Sequence, residues 1–150
     1  MGSIFQNHAL IAGLTAMVLA QLLKPFFHYW LNKEWDFAQI FGSGGMPSSH
    51  SAFVCSTALV VGMRSGFDSE VFAVSAVFGI IVLYDAANVR WQSGLHAQRI
   101  NQIIRSLFKG EQLSEDMLKE VIGHTPRQVY AGALFGLIIG LLVETFWMTR

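Results

Sequence analysis

Two histidines lie where polar residues give way to long apolar segments. His50 ends the run MPSSH (residues 46–50), and His124 begins the run HTPRQ (residues 124–128). An imidazole titrates near neutral pH, so it can act as a nucleophile, a general base or a general acid. Two histidines brought together can therefore divide the nucleophile and general-acid roles between them.

Phosphate is the group that the neighbouring polar residues would suit. Ser48 and Ser49 offer hydroxyl groups where a helix would begin, and the free N–H groups of a helix start attract anions. Lys24 and Arg90 offer full positive charges, and an arginine can bind two phosphate oxygens at once. Phosphoryl transfer depends on such donors and cations, because negative charge spreads over the phosphoryl oxygens.

The remaining reactive residue types form no convincing metal site. Carboxylates do not cluster, and the single cysteine, Cys55, lies in an apolar run, so neither a disulfide within the chain nor a metal centre is predicted. We therefore expect metal-independent chemistry without a cofactor. Asp85 lies five residues before Arg90 near the end of an apolar segment, where it would pair with a cation. We place it among the substrate-binding residues.

The composition is that of an integral membrane protein. Hydrophobic residues make up 53% of the 150 residues and charged residues only 13%, about half the share in a soluble domain. A soluble chain of this size could not bury so much apolar surface, whereas a lipid bilayer removes the need. The formal net charge of zero gives no field that would attract nucleic acid. We predict one domain over residues 1–150.

Four apolar segments predict an all-α bundle of about four transmembrane helices. They cover residues 4–23, 48–63, 70–89 and 126–147. Lys24-Pro25 is expected to end or kink the first, a serine of MPSSH to cap the second, and Thr125 to cap the fourth ahead of Pro126. The second and third are short and rich in small residues, which suits close helix contacts in lipid.

The segment between the third and fourth helices, residues 91–123, has a different pattern. Apolar residues recur at helical spacing from residue 95 to residue 108, with basic residues between them. This pattern predicts an amphipathic helix on the membrane surface. A solvated helix packed on the bundle fits it equally well.

An up-and-down bundle places all the polar runs at one face of the membrane. Of the ten Lys and Arg residues, eight belong to that face: Lys24, Lys33, Arg90, Arg99, Arg105, Lys109, Lys119 and Arg127. The positive-inside rule makes this face cytoplasmic and the termini external, in a multi-pass cell-membrane protein. Each run alone has a simpler explanation, such as a helix cap or a lysine reaching the interface, but their convergence favours a site.

Three motifs resemble those of one known superfamily. They are GGMPSSHS (44–51), YDA with VR (84–86 and 89–90), and GHTP (123–126) followed by Val129 and Gly132. Together they resemble the divergent small-membrane-protein branch of the type 2 phosphatidic acid phosphatase and vanadium haloperoxidase superfamily, from about residue 21 to residue 140.

The resemblance implies a fold, a chemistry and roles for particular residues. In that superfamily a lysine, an arginine and the second motif bind phosphate. The second motif's histidine protonates the leaving group, and another histidine attacks phosphorus to form a phosphohistidine. By matching positions, His50 resembles the general acid. The residues that resemble the phosphate ligands are Lys24, Ser48, Ser49 and Arg90.

Two histidines match the nucleophile. His96 follows Arg90 at the family's spacing, but Ile100 stands where an acid should orient the ring. His124 begins a run similar to the family's His-x-Pro-x-Asp, with Gln128 at the orienting position. We favour His124, which makes the amphipathic segment an insertion.

The chain departs from the family at two positions. Leu31-Asn32 stand where the family's first motif has Arg-Pro, and Gln128 is neutral where the family has an acid. An amide stabilises an imidazolium less than a carboxylate does, so slower turnover is expected.

The expected function is hydrolysis of a phosphomonoester or diphosphate of a membrane lipid. Phosphatidylglycerol phosphate, phosphatidic acid and polyprenyl phosphates or diphosphates are all open as substrates. A phospholipid-binding protein without turnover is the second hypothesis, and a small transporter subunit is the third. The transporter would require a homo-oligomer, because four short helices form a poor pathway alone.

Overall fold

The computed structural model describes residues 4–42, 44–107 and 123–149, and these parts of the chain are helical without any strand. The elements are α1 (His8–Asn32), α2 (Ser49–Ser65), α3 (Glu70–Tyr84), α4 (Arg90–Leu107) and α5 (Pro126–Met148). Short 3-10 turns cover Ile4–Gln6 and Phe37–Ile40. The predicted all-α membrane bundle is confirmed.

Within the described parts of the chain, three helical stretches are long and apolar enough to cross a membrane. They are His8–Asn32, the continuous run Glu70–Leu107 and Pro126–Met148. Helix α2 has 17 residues and lies between α1, α3 and α5. A short helix enclosed by others can still cross a bilayer that thins around it, so the fourth span stays a prediction.

Helix α1 runs further than the sequence predicts. Lys24-Pro25 neither ends it nor begins a loop: the helix continues to Asn32 and stops at Lys33, which has a left-handed backbone with φ of 62°. Proline is tolerated inside a membrane helix because neighbouring groups compensate for its missing hydrogen bond. Lys24 therefore lies within a helix rather than at its end.

Helix α2 packs most closely on α5 through small residues. Gly132, Gly136 and Gly140 face the turns of α2 at Ser48, Ala52 and Ser56. A Cβ on Gly132 or Gly136 would overlap the α2 backbone, so glycine is what permits this approach. The predicted close packing of small residues is correct for α2.

Helix α3 packs differently. It lies against α2, but of its residues only Gly79 is buried, and most of its large apolar side chains face outward: Val71, Val74, Val77, Phe78, Ile80 and Ile81. Its small residues therefore do not serve close packing as predicted. In a bilayer such an exposed apolar face is in contact with lipid.

No loop separates α3 from the amphipathic segment. A π-helical segment, Asp85–Val89, joins α3 directly to α4, so the helix continues to Leu107. The helix predicted from residue 95 to residue 108 is thus present as α4 as far as Leu107, and Phe108 lies outside the described residues. Gly123, just before the start of α5, packs against the backbone of Arg90 and Trp91.

At the opposite end of the bundle three helices are joined by charged side chains. Glu144 of α5 is fully buried and pairs with Arg64 of α2, at 2.9 Å from Nε to Oε1. His8 at the start of α1 lies 3.6 Å from the same carboxylate and also contacts the Arg64 guanidinium. We call these three residues the far-end cluster.

Candidate active site

The start of α2 is held against the start of α5. Ser48 caps α2, and its backbone N–H donates to the Gln128 carbonyl at 3.1 Å. The Ser48 hydroxyl accepts from the Ser51 hydroxyl at 2.9 Å, and Ser48 is fully buried. This contact brings the MPSSH and HTPRQ runs together, as the up-and-down arrangement predicts.

Gln128 organises the start of α5 and also contacts the histidine before it. Thr125 and Gln128 form a capping box in which the Thr125 N–H donates to Gln128 Oε1 at 3.0 Å. The same oxygen lies 3.4 Å from Nδ1 of His124. Since an amide oxygen can only accept, this contact places the ring proton on Nδ1 and leaves the lone pair on Nε2.

His124 is buried, and its ring nitrogen Nε2 has no hydrogen-bond partner among the described residues. Burial lowers the pKa of His124 below the ordinary value of 6.5. The Gln128 contact and the nearby Gly45 backbone oppose this shift, and the positive charges of Lys24 and His50 add to it. The neutral ring therefore predominates at pH 7. A buried nitrogen without a partner is uncommon in proteins and is typical of a catalytic or ligand-binding group.

The π-helical segment places Asp85 and Arg90 on one face of the helix. In this segment each backbone N–H bonds to the carbonyl five residues earlier, and the Arg90 N–H bonds to Asp85 in this way. The two side chains are therefore one turn apart, and Arg90 Nε donates to Asp85 Oδ2 at 2.6 Å. Single π-helical turns within α-helices occur frequently at functional sites.

A cavity of about 390 Å³ lies between the starts of α2 and α5 and the end of α3. Four polar residues line it together with Ile81, Val82 and Ala86: His50, Asp85, Arg90 and His124. All four are predicted site residues, separated by up to 74 positions in the sequence. In residues 4–42, 44–107 and 123–149, no three His, Cys, Asp or Glu side chains are grouped to hold a metal ion.

The other predicted phosphate ligands lie behind this cavity. Ser48 and Ser49 are buried, and neither is a lining residue. Lys24 is only 2% exposed, and its ammonium group donates to the Gly42 carbonyl at 2.8 Å. Its side chain passes close to Gly45, which has a positive φ of 86° in the turn before α2, here called the glycine turn. The charge of Lys24 contributes to the lowered pKa of His124. Their role as direct ligands stays a prediction.

His96 lies on an exposed part of α4 and does not line the cavity, whereas His124 does. The geometry therefore favours the same histidine as the sequence. Gln128 is not a lining residue either; it supports His124 from behind.

One residue near the site was missed from the sequence. The side-chain amide of Gln21 donates to the backbone carbonyls of Ile40 and Gly42, the latter also bound by Lys24. Gln21 and Lys24 together fix the loop that leads to the MPSSH run. The sequence could have predicted this pairing, because Gln21 lies three residues before Lys24 and residues three apart share one face of a helix.

Comparison with known proteins identifies the family of the chain. The model of the family described as "Divergent PAP2 family" matches residues 5–139. The chain belongs to the divergent PAP2 family. It is 33% identical over 153 residues to the uncharacterized membrane protein YuiD of Bacillus subtilis, across 95% of this chain and 97% of that protein. No solved structure matches the chain.

Membership of the divergent PAP2 family relates the chain to a phosphatase superfamily and agrees with a membrane-integral protein. The cavity residues His50, Asp85, Arg90 and His124 all lie within the matched range.

Proposed function

We propose that this protein is a lipid-phosphate phosphatase that hydrolyses a phosphate ester of a membrane lipid through a phosphohistidine on His124. The observation that supports it most is the cavity itself, where the buried imidazole of His124, whose Nε2 has no hydrogen-bond partner in the described parts of the chain, adjoins a second histidine and an arginine. Membership of the divergent PAP2 family agrees with this chemistry.

The proposed reaction has two steps. In the first, the lone pair of His124 attacks the terminal phosphorus, and the P–O bond to the leaving group breaks; the leaving group is the lipid alcohol for a monoester and the lipid monophosphate for a diphosphate. His50, protonated at the start, gives its proton to the leaving oxygen. In the second, His50 takes a proton from water, and the resulting hydroxide attacks the phosphohistidine. Inorganic phosphate leaves, and both imidazoles return to their starting states.

The surrounding charges suit this reaction. Arg90 is held by Asp85 through Nε, which leaves its two terminal nitrogens for phosphate oxygens. Lys24, buried behind the glycine turn, adds positive potential without direct contact. Fixed positive groups of this kind stabilise the charge that develops on the phosphoryl oxygens.

The test is phosphate release by the purified protein in detergent, with EDTA present. The substrates are phosphatidic acid, phosphatidylglycerol phosphate and a polyprenyl diphosphate. We expect release from at least one, and a loss of at least about 100-fold in His50→Ala and in His124→Ala, since a general acid contributes at least about 100-fold and the nucleophile cannot be replaced. His96→Ala is the matched control and should retain activity.

A second candidate function is lipid binding without turnover. It is favoured by Gln128, since a neutral amide also shared with Thr125 supports an imidazolium poorly. Binding of phosphatidic acid that depends on Arg90, together with no phosphate release from any of the three lipids, would identify it.

A further inference from the structure

The cavity is not enclosed by protein on the side of α3. Its polar groups lie on the α2, α5 and π-helical side, while Ile81 and Val82 form an apolar margin. The Ile81 side chain belongs both to this margin and to the outer surface of the bundle, because 59% of it is exposed. A molecule could therefore reach the cavity sideways, across Ile81.

A continuous apolar track leads away from this opening along α3. Ile81 also lines a shallow groove on the outer face of the helix, with Val74, Val77 and Phe78. Val74 and Phe78 in turn line the next groove, which reaches Val71 and Glu70. The three spaces share residues, so they form one path from the cavity to the start of α3.

The apolar part of this path is about as long as the reach of an acyl chain. Ile81 lies ten positions after Val71, which is about 15 Å along a helix. This is about half of the hydrocarbon core of a bilayer, which is about 30 Å thick. The cavity end of the path is polar and the rest is apolar as far as Val71, which matches a charged headgroup followed by a hydrocarbon chain.

We infer that the outer face of α3 (Val71, Val74, Val77, Phe78 and Ile81, here called the α3 track) guides a hydrocarbon chain of the substrate, so that the phosphate enters the cavity sideways past Ile81. The inference rests on the proposed function and adds a route and a substrate class to it. The chain remains in the bilayer throughout, and a long-chain lipid is preferred over a soluble phosphate ester.

The sequence provides a matched pair of residues for the test. Ile80 and Ile81 are adjacent and similarly exposed, at 64% and 59%, but only Ile81 lines the cavity. We compare Ile81→Trp with Ile80→Trp. The substrates are dioleoyl phosphatidic acid in phosphatidylcholine vesicles containing the protein, and dibutyryl phosphatidic acid, which dissolves as single molecules.

Ile81→Trp should lower kcat/KM for the dioleoyl lipid at least tenfold more than it lowers kcat/KM for the dibutyryl ester, whereas Ile80→Trp should change neither value. Equal losses on both substrates in Ile81→Trp, or no loss on either, would overturn the inference while leaving the phosphatase proposal intact. If His50→Ala and His124→Ala keep full activity, the phosphatase proposal itself fails.

A second measurement does not depend on turnover. Phosphatidic acid with a photoreactive group in its acyl chain is incorporated into the same vesicles and irradiated, and labelled residues are mapped by mass spectrometry. Labelling should be concentrated on the α3 track and should fall in Arg90→Ala, because the phosphate is no longer held. A photoreactive phosphatidylcholine should label all exposed helix faces without this preference. Labelling by phosphatidic acid that is uniform, or unaffected by Arg90→Ala, would overturn the inference.

Discussion

At the scale of the residue, the chemistry depends on how His124 is held. Gln128 has two tasks, because its oxygen completes the capping box of α5 and also contacts the imidazole. The first task can be performed by Gln or Glu, since both occur in capping boxes. Only the contact with the imidazole distinguishes an amide from a carboxylate. Replacing Gln128 by Glu should therefore change the chemistry of His124 and keep the capping box of α5.

Gln128→Glu should raise the pKa of His124, because a carboxylate stabilises the imidazolium that an amide cannot. In the natural protein burial keeps this pKa below 6.5, so the neutral nucleophile persists as the pH falls. The acid limb of the kcat/KM profile should therefore lie below pH 6.5 and move upward in Gln128→Glu. Phosphate release measured from pH 4.5 to 8.5 checks this.

At pH values above the acid limb, kcat/KM should rise several-fold in Gln128→Glu. The reason is that a carboxylate beside a catalytic imidazole increases the rate by orders of magnitude in enzymes that have one. Gln102→Glu is the matched control, since Gln102 is exposed on α4 far from the capping box. An acid limb that stays in place, or moves to lower pH, would contradict the role assigned to Gln128.

At the scale of the element, the site depends on how closely α2 and α5 approach. The Ser48–Gln128 contact and the three glycines of α5 lie along a single interface, so the position of His50 relative to His124 is set by backbone contact. Protein backbones in contact cannot adjust to an added atom as flexible side chains can.

Gly136→Ala should destabilise the bundle, because the added Cβ would overlap the Ala52 backbone. Overpacking of this kind costs about 1–3 kcal/mol. The same substitution at Gly79 is the matched control: nothing lies within 4 Å of its added Cβ, and alanine is favoured over glycine inside a helix.

Thermal unfolding in detergent, followed by circular dichroism, should show a lower Tm for Gly136→Ala and an equal or higher Tm for Gly79→Ala. If the two variants shifted in the same direction by similar amounts, the close α2–α5 contact would not be what holds the bundle.

At the scale of the whole molecule, two polar centres lie at opposite ends of the bundle. One is the cavity, and the other is the far-end cluster of His8, Arg64 and Glu144. The far-end cluster joins α1, α2 and α5 where these helices are farthest from the cavity. We therefore assign it to the stability of the bundle rather than to the reaction.

Removing either partner of the Arg64–Glu144 pair should have unequal effects. Arg64→Met leaves a fully buried carboxylate without its cation, and breaking a buried pair in this way costs about 3–5 kcal/mol. Glu144→Gln leaves Arg64, whose side chain is 41% exposed and can turn toward water, so the loss should be smaller.

Denaturation in detergent should rank natural protein, Glu144→Gln and Arg64→Met in order of decreasing stability. Phosphate release per folded molecule should stay unchanged in both variants. The reverse order, or a selective loss of activity in a stable variant, would show that the far-end cluster has another role.

The sequence by itself determined the class of the protein and predicted which polar residues would meet at one end of the bundle. Composition and apolar segment lengths led to a membrane bundle, since these depend only on how much apolar surface a chain carries. An up-and-down order of helices was enough to bring His50, Asp85, Arg90 and His124 to one end, because alternate helix ends must meet.

Tertiary structure alone decided which of these groups face one another. Helix α1 continues through Pro25 because neighbouring helices compensate for proline, and this buries Lys24 behind the glycine turn rather than in the cavity. The π-helical segment at residues 85–89 pairs Asp85 with Arg90, and no periodicity in the sequence predicts a π-helix there. The exposure of α3 likewise follows from which helices occupy the centre. These outcomes depend on contacts between distant segments, which local sequence patterns do not encode.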